Sequence, residues 1–236
     1  MLIMNERELS QRLKTVVDYF PEKARVADIG SDHAYLPCYA IIEKKAVFAI
    51  AGEVVEGPYQ SACTHVQGLA LTKDISVRKG NGLAVINSED KINTIVIAGM
   101  GGPLIRSILE AEPQRLTDNM RLILQPNVAA NSIREWAQLN QYQIISETIL
   151  EEDEKIYEIL VLEKSATTVS YNTNEIKFGP FLQNEKSTTF IKFWKSERTT
   201  LQTIIKRIEK GSQNEASHAK ITTLQQRIQE IDEVLA

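Results

Sequence analysis

The stretch Ala27-Asp28-Ile29-Gly30-Ser31-Asp32-His33-Ala34-Tyr35-Leu36-Pro37 decides how the rest of the chain reads. It closes a short run of strand-forming residues, Arg25–Ile29, and turns straight into a helical pattern. A strand, a glycine-bearing loop and a helix form the first unit of a Rossmann-type sheet, which binds its cofactor at the carboxyl ends of the strands. The charge of the loop narrows the choice of cofactor. A dinucleotide puts a pyrophosphate there and needs bare backbone amides in a glycine-rich turn. Asp28 and Asp32 would face that phosphate with negative charge, and the second and third glycines are missing. S-adenosylmethionine has no phosphate; it carries an ammonium, a carboxylate and a sulfonium cation. Acidic side chains suit the ammonium and loop amides suit the carboxylate. Asp28, Gly30, Ser31, Asp32, His33, Tyr35 and Leu36 are therefore the first part of an expected cofactor site. Helix capping by the aspartates is the structural alternative.

Outward from this loop the pattern alternates. Upstream, Leu9, Leu13, Val16, Val17 and Phe20 recur at helical spacing until Pro21. Downstream, Ala46–Ala51, Ile75–Arg78, Thr94–Ile97 and Arg121–Leu124 read as strands. Helical stretches Tyr59–Leu69, Leu104–Leu109 and Ser132–Leu139 lie between them. Such alternation predicts a parallel sheet covered on both faces. Two further strands, Gln143–Leu150 and Ile156–Leu162, are separated only by Glu151–Lys155, too short for a parallel crossover. They should end the sheet as an antiparallel hairpin.

The strand ends supply the remaining candidates. Glu53 closes the second strand, where an acid can accept both ribose hydroxyl hydrogen bonds. The third strand ends in Gly80-Asn81-Gly82, whose asparagine can pair with an adenine edge or simply form a type I′ turn. The fourth ends in Ala98-Gly99-Met100-Gly101-Gly102, three glycines in four positions, as if an acceptor must approach the backbone closely. The fifth ends in Gln125-Pro126-Asn127, two amides able to read base edges at the same mouth. Gly99, Gln125, Asn127 and His33 are the candidates for the transfer step, without a clear general base among them. His33 at a helix start reads equally well as backbone-satisfied.

Beyond a Ser/Thr-rich linker, Ser165–Thr173, and a Phe178-Gly-Pro-Phe181 turn come two helical segments, broken at Gly211-Ser212-Gln213-Asn214. The second carries a heptad seam, Ile221, Leu224, Ile228, Ile231 and Leu235. The first offers Trp194, Leu201, Ile204 and Ile208, interrupted by Glu197. An antiparallel coiled-coil hairpin is expected, with a helical cap on the main domain as the alternative, giving domains 1–164 and 174–236. Residues 1–163 hold 16 Lys+Arg against 23 Asp+Glu, a net −7; residues 164–236 hold 11 against 8, or +3. An overall charge of −4 does not suit an unspecific polyanion binder; if a nucleic acid binds, the C-terminal part carries more of the attraction, and on charge alone a solvated helical surface is the favoured alternative. No run approaches the roughly 18 apolar residues of a membrane span. The start MLIMNERELSQRLK turns charged after four residues, unlike a signal peptide. Cys38 and Cys63 have neither disulfide-framework nor zinc spacing, which points to a reducing, cytoplasmic setting and no metal.

Taken in order, Asp28–Pro37 (DIGSDHAYLP), Ala49–Pro58 (AIAGEVVEGP), Ile97–Gly102 (IAGMGG), Leu122–Asn127 (LILQPN) and Ile149–Asp153 (ILEED) resemble the TrmK family. These are bacterial tRNA (adenine-N1)-methyltransferases acting at tRNA position 22. The likeness runs from about Glu8 into the C-terminal helices and includes Phe178–Leu182 (FGPFL). It implies a class I methyltransferase sheet of seven strands with an antiparallel end, a C-terminal coiled coil, S-adenosylmethionine as cofactor and tRNA as partner. Asp32 and Ala34 replace two glycines of the usual methyltransferase loop, and the fourth-strand motif is not the Asp/Asn-Pro-Pro-aromatic of many amino methyltransferases. Both departures look like the family's own pattern. Two other functions fit parts of the sequence. An NAD-dependent oxidoreductase would also use an acid at Glu53, and a non-catalytic scaffold would use the coiled coil to recruit partners.

Overall fold

Ser10 starts the first helix by accepting the Leu13 amide, and Leu13, Val16 and Val17 bury its apolar face. Each such side chain contributes at most about 1.5–3 kcal/mol relative to exposure. In this computed structural model, which describes residues 8–211 and 214–236, that helix is α1 (Gln11–Asp18). The apolar start at residues 1–4 and the Ser212-Gln213 part of the interhelical break lie outside the described residues.

The elements then alternate as β1 (Ala24–Ile29), α2 (Tyr35–Ile42), β2 (Ala46–Glu53), α3 (Glu56–Gly68), β3 (Ile75–Lys79), β4 (Thr94–Gly101), α4 (Gly102–Ala111), β5 (Arg121–Val128) and α5 (Asn131–Leu139). Two long strands follow, β6 (Tyr142–Glu152) and β7 (Lys155–Lys164). They form one sheet in the order β3-β2-β1-β4-β5-β7-β6, parallel through β5 and antiparallel where β7 inserts between β5 and β6. Because β1 pairs with both β2 and β4, the order reverses there, and the crevice at such a switch point is where open α/β sheets bind ligands.

Two strands run further than their apolar patterns. β4 continues past Ile97 through Gly99 to Gly101, and β5 past Leu124 through Gln125-Pro126-Asn127 to Val128. Their glycine and polar ends carry no strand signal of their own. They are extended because they pair with each other, with register slips on either side of Met100. The β6–β7 turn is tighter than read: Asp153 and Glu154, both left-handed (φ 49° and 61°), close it in two residues.

Only Arg121–Leu124 of β5 pair with β7, so the hairpin tip projects beyond the sheet. Helices α6 (Thr173–Phe178), α7 (Leu182–Glu185), α8 (Thr188–Glu209) and α9 (Glu215–Leu235) pack on that tip. Ile149 of the tip joins Phe178, Leu182, Phe190, Trp194 and Ile231 in a core separate from the two that flank the sheet. The coiled-coil reading needs one correction. In α8 the buried stripe is Phe190, Trp194, Leu201 and Ile205, whereas Ile204 and Ile208 are half-buried. This stripe, spaced 4-7-4, keeps Trp194 and Leu201 of the expected line and replaces Ile204 and Ile208 with Phe190 and Ile205. In α9 the expected seam is buried at Ile231, toward the far end, and half-buried at Ile221, Leu224, Ile228 and Leu235.

Candidate active site

The loop after β1 is held in an unfavourable backbone. Gly30 has φ +74°, and Asp32, His33 and Ala34 follow at 39°, 64° and 59°. Left-handed conformations cost non-glycine residues roughly 1–2 kcal/mol each. Asp32 and Ala34 thus occupy glycine-like backbone without being glycine. The loop is fixed from within: the Gly30 and Ser31 amides donate to the Gly52 carbonyl at 2.9 and 3.2 Å, Asp32 N–H to Glu53 Oε1 at 2.6 Å, and Ala34 N–H to Ser31 O at 3.2 Å. These four amides are therefore used within the fold, which leaves those of His33, Tyr35 and Leu36 as the loop amides without such a bond among the described residues.

What the loop does present is buried acid. Asp28 is 4% exposed, and its Oδ2 accepts from Ser31 Oγ at 2.7 Å. Burial pushes its carboxyl up to about 7 against that hydrogen bond, with the charges of Glu53 and Asp32 adding to the rise. Glu53, also buried, is raised by burial, which the Asp32 amide partly offsets. Two buried carboxyls at adjacent strand ends, neither paired with a Lys or Arg among the described residues, suit a cationic ligand with hydroxyls. The Asp32 side chain is exposed, 3.6 Å from His33 Nε2, so its firm contribution is the backbone bond to Glu53.

The other β1-side candidates divide. His33 and Tyr35 stack at 5.6 Å, and Tyr35 meets His65 edge-on at 5.0 Å, while His65 Nδ1 lies 2.7 Å from the His33 carbonyl. Leu36 is a core residue, its side chain buried under the sheet. The Gly80 amide donates to the Glu53 carbonyl at 2.8 Å, tying the third strand end to the second. Asn81 has φ −92°, which rules out the type I′ turn; its exposed side chain makes no capping bond to the short helical turn Gly82–Val85.

At the β4–β5 mouth three hydrogen bonds close a ring. The Gly99 amide donates to Gln125 Oε1 at 3.0 Å, Gln125 Nε2 to Asn127 Oδ1 at 3.2 Å, and Asn127 Nδ2 to the Gly99 carbonyl at 2.7 Å. Gln125 is fully buried, so it shapes the Gly99 backbone and does not read a base edge as expected; Asn127 remains exposed. The glycine run separates by role. A Cβ on Gly102 would meet the Ala129 carbonyl oxygen at 2.2 Å, so this glycine serves packing. Gly101 would meet only ordinary contacts, nearest at 3.7 Å, so nothing in the protein demands a glycine there. Met100 reaches across to the β1 loop, where its Cε would lie 2.4 Å from a Cβ on Gly30.

Sequence reasoning missed Arg12. Its Nη1 donates to Gln125 Oε1, and its guanidinium lies over the Tyr157 ring, 5.2 Å from the centroid. On the polar face of α1 it reads like any solvated arginine, and no local pattern distinguishes it.

Residues 26–233 match the family model described as TrmK: tRNA (adenine(22)-N(1))-methyltransferase. The chain belongs to the TrmK family. It is 46% identical over 236 residues to the Bacillus subtilis tRNA (adenine(22)-N(1))-methyltransferase, covering 98% of this chain and 99% of that one. A Listeria monocytogenes structure superposes with a TM-score of 0.94 at 50% identity, covering 97% of this chain and all of the other. A Streptococcus pneumoniae structure in complex with S-adenosyl-L-methionine gives 0.88 at 41%, over 97% of this chain and 100% of that one. In this TrmK-family chain a cleft of about 720 Å³ opens beside the β4–β5 mouth, between Asn127–Val128 and the helical arm at Trp194, Leu224 and Arg227.

Proposed function

We propose that this chain transfers a methyl group from S-adenosylmethionine to N1 of adenine 22 in tRNA. The observation that carries the reading is the buried Asp28–Glu53 pair at the β1–β2 ends. It suits a cationic, ribose-bearing cofactor, and it stands in a chain matched to this family over nearly its whole length. The cofactor supplies the methyl on its sulfonium. Asp28 sits where an ammonium would neutralise it, Glu53 where ribose hydroxyls would bond, and the exposed Asn81 amide beside an adenine edge. Ala98, Gly99, Met100 and Gly101 line the transfer side.

Adenine N1 attacks with an in-plane lone pair, so no proton has to leave first. The chain therefore has to align, and alignment in favourable cases contributes up to about 7–11 kcal/mol. The Gln125–Asn127 ring fixes the Gly99 backbone for that task, and Gly101 leaves room for the base. His33 lies in a separate cluster with Tyr35 and His65, and it is assigned to the cofactor loop, not to chemistry. The division into a methyltransferase domain, 1–164, and a helical arm, 174–236, assigns RNA docking to the arm. Among the described residues no helix is long and apolar enough to cross a membrane; the cytoplasm, where tRNA is found, is the assigned compartment.

The decisive experiment incubates the protein with labelled S-adenosylmethionine and tRNA, then digests to nucleosides. Label in 1-methyladenosine, lost when position 22 is changed to guanine, is expected. Label in another nucleoside, or label that survives the change, would sink the assignment. Calorimetry with S-adenosylhomocysteine and with NAD should give heat only for the former.

A further inference from the structure

Glu197 interrupts the apolar seam of α8, and its carboxylate makes no hydrogen bond or ion pair among the described residues. It stands three residues after Trp194 and four before Leu201, both buried. Residues three and four apart share a helix face, and Glu197 is accordingly half-buried, lining the cleft between the arm and the end of β5. Arg227 of α9 lines the same cleft, exposed and likewise without an ion pair among the described residues. Around these two charges the walls are apolar. Phe193 and Trp194, whose rings meet edge to face at 5.0 Å, form one side, and Val128, 67% exposed, forms the other. Beside Val128 lies Asn127, which bonds the Gly99 carbonyl at the β4–β5 mouth. At about 720 Å³ the cleft is of the size that takes a small organic ligand.

Resting on the reading of tRNA as the substrate, we propose that this cleft receives one unstacked guanine of the tRNA, whose Watson–Crick edge Glu197 reads. A carboxylate offers two acceptor oxygens and no donor. Guanine sets two donors side by side on that edge, N1–H and the N2 amine. Adenine and cytosine present an amine beside an acceptor nitrogen, and uracil a single N–H between carbonyls. Only guanine therefore satisfies both oxygens of Glu197 at once. Phe193 and Trp194 supply aromatic surface of the kind on which splayed-out RNA bases rest. Arg227 at the rim gives the adjoining phosphate a cation. Without such donors, a carboxylate on a face that meets RNA only repels phosphate, and its place in an apolar seam has no return. The tRNA itself is the source of the base, not a free nucleotide, because Asn127 and Val128 border both the cleft and the mouth. A base held here belongs to the same RNA as the adenine presented next to it, and helps to position that adenine.

The sign of one substitution separates this contact from charge alone. Glu197→Gln removes a negative charge facing phosphate, so electrostatics by itself tightens tRNA binding. Loss of a bidentate base contact weakens it, by roughly five- to a hundredfold. Wild type and Glu197→Gln are titrated with tRNA, with thermal melts and S-adenosylhomocysteine affinity as controls. The weakening is expected, with cofactor affinity unchanged within about twofold and no fall in melting temperature, since an unpaired carboxylate has left the seam. Analogue interference then locates the base. tRNA doped sparsely with inosine phosphorothioate, which lacks the N2 amine, is partitioned into bound and free fractions. Inosine at one guanine position should interfere with binding to wild type, and that interference should vanish with Glu197→Gln. Equal or tighter tRNA binding by Glu197→Gln, or no position whose interference depends on Glu197, overturns the proposal. So does a Glu197-dependent affinity for free guanosine monophosphate with tRNA binding unchanged, which would make the cleft a nucleotide site. If Glu197→Gln misfolds, Glu197→Asp, which keeps the charge and shortens its reach, decides by the same interference map. Wild type that binds tRNA without methylating it sinks the proposed function and leaves this test standing.

Discussion

Arg134 Nε donates to Glu147 Oε1 at 2.7 Å, with both side chains shut off from solvent. A second guanidinium nitrogen pairs with Glu158, and Glu147 Oε2 accepts the Phe181 amide at 3.0 Å. Helix α5, both hairpin strands and the start of the helical arm therefore meet on one buried ionic cluster. Gly179 is required there, since a Cβ would come within 2.6 Å of Glu147 Oε2.

Removing one partner should leave an uncompensated buried charge. Glu147→Leu and Arg134→Met are each expected to lower unfolding free energy by about 3–5 kcal/mol, and the double variant by less than the sum. Urea denaturation checks this. Single variants that lose under about 1 kcal/mol would show the cluster to be solvated in practice.

Asp28 predicts a conflict between stability and binding. Its folded carboxyl titrates near 7, above the ordinary range of an unfolded chain, so the folded state holds a proton that the unfolded state has released. Its contribution is full below about pH 4, falls as pH rises through about 4 to 7, and is gone above that window. Asp28→Asn, which can still accept from Ser31, should raise the melting temperature more at pH 8 than at pH 5, yet weaken S-adenosylmethionine at least tenfold. Melts showing equal effects at both pH values would contradict the burial of this charge.

Cofactor affinity in the parent should also climb with pH up to about 7 and then level, because a bound cation favours ionised Asp28. Calorimetry at pH 6.5 in buffers of different ionisation enthalpy should detect proton release on binding. A buffer-independent heat there would argue that Asp28 is already charged.

The two neighbouring glycines should separate folding from transfer. Gly102→Ala is expected to destabilise the protein, its methyl colliding with a backbone oxygen. Gly101→Val should fold and bind S-adenosylmethionine within about threefold while losing methyl transfer by at least a hundredfold. Normal transfer by Gly101→Val would mean that the acceptor does not approach that backbone.

Charge on the arm should set RNA affinity. Lys192 is engaged by Glu151 and Arg198 by Asp232, so the exposed cations of α8 with no ion pair among the described residues are Lys195, Lys206 and Arg207. Replacing these three with Gln should weaken tRNA binding and flatten its salt dependence without changing cofactor affinity. Tight binding at low and moderate salt would assign docking elsewhere. Deleting 174–236 is a poorer test, because it bares Ile149 and breaks the Arg134 cluster.

The sequence by itself determined the order of strands and helices, the terminal hairpin, the acidic loop at Asp28 and the acid at Glu53. These follow from periodicity and from charge at the ends of apolar runs, which are local properties. It misplaced the ends of β4 and β5, because glycines and amides become strand only through their partners across the sheet. Left-handed Asp32 and Ala34 were illegible for a similar reason: neighbouring strands impose a backbone that their own side chains disfavour. The role of Gln125 depended on Gly99 lying across from it on β4, and the place of Arg12 on its helix being pinned against Gln125, 113 residues further along the chain. Burial, which turned Asp28 into a group titrating near neutrality, exists only when β1, β2 and β4 pack side by side and exclude water from the carboxyl.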